Sequence, residues 1–346
     1  KFGFVVELMK TFDEIFIDCT KYGVKIKASE YCEQGKNIIV DQGQAKIAGY
    51  TDNSEGLFTD VPVIIFGDHT RTIKYIDTPF FLGADGTKVL KSKLEDANYK
   101  YLYYALKNTK IPNTGYSRHF KWLKNAKIRY PNIQKQEEIV LILDKIQKII
   151  EYNQTQLARL DELIKARFVE MFGGIHDSKL YPYATIESFT SVMSGGTPDR
   201  GTAEYWQGGN IRWVKTTELQ NCVITDTEEK ITQLGKDNSS AKLIPPNSIL
   251  IAMYGQGKTR GMTGYLAVEC TTNQACACIL PSKTINQKYL WQYMILSYDK
   301  LRDMAKGGNQ PNLNAGIIKK FSVLMPPLEQ QEQFAAFVEQ VNKSKV

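Results

Sequence analysis

A chain of 346 residues, 42% hydrophobic and 23% charged, is long enough for two globular domains and ordinary in composition for a water-facing protein. No run of about 18 apolar residues occurs, so no transmembrane span is expected, and positions 1–10 lack the apolar core and cleavage site of a signal peptide. The formal charge of +7 permits a polyanionic partner such as DNA and equally fits a merely soluble basic surface.

The first segment, 11–130, is rich in Gly, aromatic and β-branched residues, with a strand-like run at 61–66. Asp68-His69-Thr70-Arg71 follows that run. One His beside one Asp is not a triad, and no nucleophile completes one, so the motif is read as a polar loop that meets base edges or orders the domain. Asp77-Thr78-Pro79-Phe80 departs from the methyltransferase tetrapeptide in its middle, and no glycine-rich S-adenosylmethionine loop accompanies it. Arg118-His119 is interleaved with Tyr116, Phe120 and Trp122, the mixture of cations and rings common on nucleic-acid surfaces. Trp122 and Leu123 also suit a core.

From 134 to 172 the chain carries no Pro or Gly, and Gly173-Gly174 ends the run. The spacing predicts one helix on the order of 58 Å long. Its heptad seam is Ile139, Leu143, Ile146, Ile150, Asn153, Leu157, Leu160, Ile164, Arg167 and Met171, a coiled-coil pattern with Asn153 set to fix register. The sequence around its start recurs. Residues 128–146, IRYPNIQKQEEIVLILDKI, match residues 323–341, VLMPPLEQQEQFAAFVEQV, with Pro131 aligned to Pro326. Upstream, YKYLYYAL at 99–106 matches YLWQYMIL at 289–296. Two copies at so long a period indicate a duplicated domain-plus-helix unit rather than a solenoid. The second helix, beginning near Glu329, is expected to pair antiparallel with the first through Phe334, Val338 and Val341. It stops at Val346 and is expected to be incomplete.

The second segment, 180–325, has strand-like runs at 211–214, 248–252 and 275–280 and an interior unlike that of the first. Ala252 to Thr259 reads AMYGQGKT after a strand-like run. A phosphate-binding P-loop needs Gly where Ala252 stands and a helix after it, whereas Arg260-Gly261-Met262-Thr263-Gly264 continues toward β structure. A flexible basic loop fits better: Lys258 to neutralise a phosphate, Arg260 for phosphate or guanine, or else a glycine turn with solvated charges. Gln310 and Asn312 carry amides suited to adenine, or to turn chemistry around Pro311. Asp199 with Glu228-Glu229-Lys230 imitates a nuclease metal pattern but reads as a solvated strand edge. The six cysteines form no C-x-x-C pair and only three histidines accompany them, so no zinc site is expected and reduced thiols fit a cytoplasmic protein.

Taken in order, these pieces resemble the specificity subunits of Type I restriction-modification enzymes. In the second half the resemblance rests on Ser194-Gly195-Gly196-Thr197-Pro198, Tyr205-Trp206, Gly209-Asn210-Ile211-Arg212-Trp213, Tyr254-Gly255-Gln256-Gly257-Lys258-Thr259, Asn309-Gln310-Pro311-Asn312 and Pro326-Pro327-Leu328-Glu329-Gln330-Gln331. In the first half it rests on Asp41-Gln42-Gly43, Phe66-Gly67-Asp68-His69-Thr70-Arg71 and Gly115-Tyr116-Ser117-Arg118-His119-Phe120.

The resemblance implies an α+β fold: two mixed α/β target recognition domains, 11–133 and 174–325, separated by long antiparallel coiled-coil helices, 134–173 and 326–346. It implies a non-catalytic subunit that reads a bipartite double-stranded DNA site and positions two adenine-N6 modification subunits, with restriction subunits beside them. S-adenosylmethionine, ATP and Mg would belong to those partners, and this chain would hold no cofactor or metal. The candidate DNA contacts are Lys46, His69, Arg71, Lys88, Arg118, His119, Lys215, Thr216, Gln256, Lys258, Thr259, Arg260, Gln310 and Asn312. Two other classes stay in view: a P-loop or nuclease enzyme that would depend on Lys258, and a scaffold that uses its coiled coil for protein partners alone.

Overall fold

The computed structural model describes residues 9–83, 85–115, 117–255, 257–305 and 312–345. The chain divides into two compact units that part at Tyr152 and Asn153.

The first unit runs β1 (Met9–Thr11), α1 (Phe12–Ile15), β2 (Phe16–Asp18), β3 (Asn37–Val40), β4 (Gly49–Thr51), β5 (Val63–Gly67), β6 (Ile73–Ile76), β7 (Phe80–Leu82) and β8 (Thr87–Ser92). Helices α2 (Tyr99–Lys107) and α3 (Phe120–Lys124), strand β9 (Lys127–Arg129) and the start of α4 (Ile133–Phe172) complete it. The antiparallel order β2-β8-β5-β6 makes one sheet and β4-β3-β7 a second, while β1 pairs with β9 as a ribbon at the base. Strand β5 is buried on both faces and therefore reads as a continuous apolar run. Its alternation still sorts the layers. Ile64 and Phe66 join Leu102, Leu106 and Leu123 on the helix side, and Val63 and Ile65 join Val40, Phe80 and Leu82 on the other.

The second unit runs β10 (Tyr183–Thr185), α5 (Ile186–Phe189), β11 (Val192–Ser194), β12 (Ile211–Val214), β13 (Cys222–Ile224), β14 (Glu229–Ile231), α6 (Gln233–Asp237), β15 (Ile249–Ala252) and β16 (Thr263–Leu266). Then come β17 (Thr271–Thr272), β18 (Cys276–Ile279), α7 (Gln287–Leu296), α8 (Tyr298–Met304), α9 (Ala315–Lys319), β19 (Ser322–Leu324) and α10 (Leu328–Lys343). Its sheets are β11-β18-β15-β16-β13 and β14-β12-β17, with β10 paired to β19. The first unit's plan is thus repeated strand for strand, down to the parallel partners β3 with β7 and β12 with β17, and β13 is an added edge strand. The interiors, dissimilar in residue identity, share one topology. Strand β15 repeats the sorting of β5: Ile249 and Ile251 face the helices, Leu250 and Ala252 the second layer.

Helix α4 spans 40 residues, starting one position before the expected 134 and ending at Phe172 as expected. Gly173 follows it with φ of 79°, and its N–H returns to the Val169 carbonyl at 2.8 Å. In the second unit α10 packs antiparallel on the last turns of α4. Phe334 meets Phe168 and Phe172, Phe337 lies under Arg167, and Lys345 pairs with Asp161 at 2.6 Å. Phe334, Val338 and Val341 are all buried there.

The rest of the contact differs from the heptad reading. Phe168 and Phe172, outside the expected seam, form its centre with Ile164, while Leu160 and Met171 pack at its margin. Ile139 packs against the first unit's core beside Val140, and Leu143 is half-buried. Ile146, Ile150, Asn153 and Leu157 are exposed in this chain. The described residues of α10, Leu328–Lys343, cover about three turns of α4. No helix among the described residues is long and apolar enough to cross a membrane.

Candidate nucleic-acid interface

In the first unit the turn after β5 is built by Gln42. Its Oε1 accepts from the His69 amide at 3.1 Å, its Nε2 donates to the Asp85 carbonyl at 2.7 Å, and its carbonyl accepts from the Thr70 hydroxyl at 2.6 Å. The turn needs a left-handed residue, and Arg71 supplies it at φ of 61°, an uncommon and costly state for a non-glycine side chain. Arg71 thereby leaves the turn toward Ile111, whose carbonyl lies 3.5 Å from Nη1, and lines a cleft with Lys46.

Of the Asp68-His69 pair, His69 is held through its backbone amide by Gln42 and is half-buried, while Asp68 serves the architecture. Asp68 is buried and its Oδ1 accepts from the Phe120 amide at 2.8 Å. His119 is only 1% exposed; its Nδ1 lies 3.0 Å from the Asp68 carbonyl and its Nε2 3.4 Å from the Thr114 hydroxyl. A buried imidazole committed on both nitrogens fastens α3 to the β5 turn and has no face left for a base. Arg118, next to it, is exposed.

Lys88 stands on β8, 3.2 Å from Asp18 and over the Phe120 ring. Burial pushes the Asp18 carboxyl up, but hydrogen bonds from Thr20 and Lys88 outweigh it and hold the group below its usual range. Lys21 and Lys25 line the same recess, a cationic neighbourhood that the sequence reading missed. Only the folding of residues 18–25 against β8 reveals it.

In the second unit β15 delivers the chain into the glycine loop, which re-enters as β16 at Thr263. No helix starts there among the described residues, and a P-loop's phosphate cradle is built on a helix N-terminus. Gly257 and Gly261 hold left-handed φ of 61° and 88°, which lets the loop reverse tightly. Helix α8 grips the loop from behind: the Tyr298 hydroxyl donates to the Lys258 carbonyl at 2.7 Å, and Arg302 Nη1 donates to the Arg260 carbonyl at 3.0 Å. The Lys258 side chain is exposed and those of Thr259 and Arg260 are half-buried. Leu313 ties the segment after 311 to the loop's entry by donating to the Met253 carbonyl at 3.0 Å, which brings exposed Asn312 to the same region. Gln256 and Gln310 lie outside the described residues.

Lys215 follows β12, with Thr216 opening the next turn. Its ammonium sits between Glu228 at 2.7 Å and Glu229 at 3.0 Å, and these bonds raise its pKa. Glu229 also pairs with Arg200, whose guanidinium stacks 3.8 Å over Trp206 and 4.7 Å from Trp213. The charge of Lys215 is spent inside this network, and so are Glu228 and Glu229, while Asp199, the third carboxylate of the nuclease-like pattern, accepts from the Thr202 hydroxyl at 2.7 Å. Tyr298 and Arg302, which sequence reasoning missed, are the positioning residues of the loop. Their spacing of four on one helix face was the available signal.

The family described as Type I restriction modification DNA specificity domain matches this chain twice, over 9–162 and 182–346. The Escherichia coli Type I restriction enzyme EcoR124I/EcoR124II specificity subunit is 26% identical over 336 residues, covering 92% of this chain and 82% of its own. The fold is shared with the S subunit of a Type I restriction-modification system from M. genitalium, with TM-score 0.59 at 15% identity over 98% of this chain and 90% of that one. A chain from a structure on complex assembly and conformational transition of the type I R-M system matches at TM-score 0.50 and 14% identity, with 98% and 90% covered.

Proposed function

Because this chain belongs to the Type I restriction modification DNA specificity family and so serves DNA sequence specificity, we propose that its two units are two readers of one split target, the modules at 11–133 and 174–325 each meeting a half-site. The observation that carries this is the repeated topology: one strand order in both units, with different side chains on equivalent loops. A common frame with unlike loops is what two targets of unlike sequence require. Lysines and arginines position the duplex through phosphates, and polar loop side chains read base edges.

In this reading the chain catalyses nothing. It positions two modification subunits that methylate adenine N6 with S-adenosylmethionine, and restriction subunits that use ATP and Mg, all in the cytoplasm. What supports this is the fate of the catalytic-looking groups: the Asp68 carboxylate is buried and accepts from the Phe120 amide, the glycine loop runs into a strand, and Glu228 and Glu229 are paired with Lys215 and Arg200. Methylome sequencing of cells with and without the chain tests it. A lost methylation pattern with two fixed parts around a variable gap is expected. Replacing the loops of the second unit alone should then change one part only. Hydrolysis of nucleotide or DNA by the purified chain, abolished by Lys258→Ala, would refute it.

A further inference from the structure

Between β6, α2 and the first third of α4, all within the first unit, lies a cleft of about 580 Å³. Five cations line it, Lys46, Arg71, Lys74, Lys100 and Lys107, against one carboxylate, Asp144. Two of the five are committed. Lys74 is 5% exposed and donates to the Asp41 carbonyl at 2.7 Å, with the Asp41 carboxylate 3.6 Å away. Lys100 pairs with Asp144 at 2.6 Å, and the Tyr104 hydroxyl donates to the same carboxylate at 2.8 Å. Asp144 is therefore already satisfied twice. Lys46, Arg71 and Lys107 pair with no carboxylate among the described residues. Lys107 rests over the Tyr103 ring at 5.2 Å, with the Tyr103 hydroxyl 3.2 Å from its ammonium.

Three unneutralised cations around one recess repel one another, and an anion entering it relieves that repulsion. We propose that this cleft seats the backbone phosphodiester of the DNA strand read by the first unit, as a sequence-independent clamp. The proposal rests on the DNA-specificity reading. Phosphate oxygens accept from ammonium, guanidinium and phenol alike, and all three donors converge here. A lysine is a point charge on a flexible stem and does not discriminate base edges, so a lysine-rich recess positions the duplex rather than reading it. The turn that carries Arg71 is the one that Gln42 braces, which fixes the backbone from which the guanidinium enters the cleft.

The test is a Lys46→Gln, Lys107→Gln double variant of the full chain assembled with its modification subunits, titrated with cognate and scrambled duplex across a salt series. Neither lysine has an ion pair to break, and an unchanged melting temperature verifies the fold. Each lost phosphate contact lowers the salt slope by about 0.9. Two contacts lower it by about 1.8, so between about 50 and 200 mM salt the variant loses about 12-fold less affinity than the parent. Both duplexes weaken by the same factor and their ratio is preserved. An unaltered slope beside an intact cognate preference overturns the clamp and leaves the DNA reading standing. Binding of inorganic pyrophosphate that the variant loses, with the DNA slope unmoved, overturns it in favour of a free-anion site. Failure of the variant to assemble with the modification subunits makes the cleft a protein socket and overturns it too. If the parent assembly prefers no duplex at all, both the reading and the clamp fall.

Discussion

Each unit carries a buried glutamine at the same place in the repeated sequence, and its removal should be severe. Gln331 is 1% exposed; its Nε2 donates to the Pro326 carbonyl and its Oε1 accepts from the Asn286 amide, both at 2.8 Å. Asn286 is the N-cap of α7, accepting from the Lys288 and Tyr289 amides. Gln136, fully buried, repeats this with Pro131 at 2.9 Å and Asn98 at 3.0 Å, and Asn98 caps α2. One side chain thus joins the first turn of a spacer helix, the proline before it and the start of a domain helix. Gln331→Met keeps the volume and leaves a donor and an acceptor unsatisfied at about 1–3 kcal/mol each, so a loss of about 2–6 kcal/mol is expected. Gln136→Met should cost the same in the first unit, and the two should add, because the sites share no partner. Urea denaturation measures the loss, with hydrogen exchange locating it at 98–102 and 286–290. A change below about 1 kcal/mol, or lost protection confined to α10 with 286–290 unaffected, would refute the brace.

Phe168→Ala should cost about 3–5 kcal/mol, since its ring contacts Phe172, Phe334, Tyr289 and Tyr293; calorimetry reads this as a lower melting temperature of the second unit. Arg302→Met should free the Arg260 carbonyl and cut discrimination at one half-site about tenfold, the equivalent of about 1.4 kcal/mol, while the other half-site is unaffected in a competition-binding assay. Burial first, and Lys300 second, depress the His176 pKa from 6.5 to about 4, so the ring is neutral in the fold. The unfolded chain then binds the extra proton as pH falls from about 6.5 toward 4, and stability contributed above that window is lost through it; His176→Asn should flatten this part of the pH profile in a melting series.

The frame of the molecule was legible because its signals are local. The proline-glutamine repeat, the glycine pair after Phe172 and the apolar runs of β5, β12, β15 and β18 each mark an element without reference to the rest of the chain. The shared interior topology was not legible, because strand order follows from which faces are apolar, and many side chains satisfy that. Val63-Ile64-Ile65-Phe66 and Ile249-Leu250-Ile251-Ala252 have two positions apiece for each layer yet little identity. The seam was legible only where α10 covers it, at Leu160, Ile164, Arg167 and Met171, for a related reason. A seam is defined by its partner, and α10 meets α4 where Phe168 and Phe172 already serve the domain core. Charge was the least legible property of all. Lys215 and Lys107 look alike in a sequence, and only the fold sets one between two glutamates and leaves the other facing an open recess.

The length of α4 gives a final test of how the two readers act together. If the helix sets the gap between half-sites, removing seven residues from its exposed stretch, 146–157, shortens the path by about 10 Å, about three base pairs of duplex. Heptad periodicity keeps the apolar face in phase, so each reader's fold and half-site preference should survive the deletion. Removing four residues instead rotates the face by about 40° relative to whole turns and should impair binding at every gap. Selection of bound duplexes from a library with randomised gap lengths distinguishes these outcomes. A preferred gap that stays the same after the seven-residue deletion means that something other than the helix holds the readers apart.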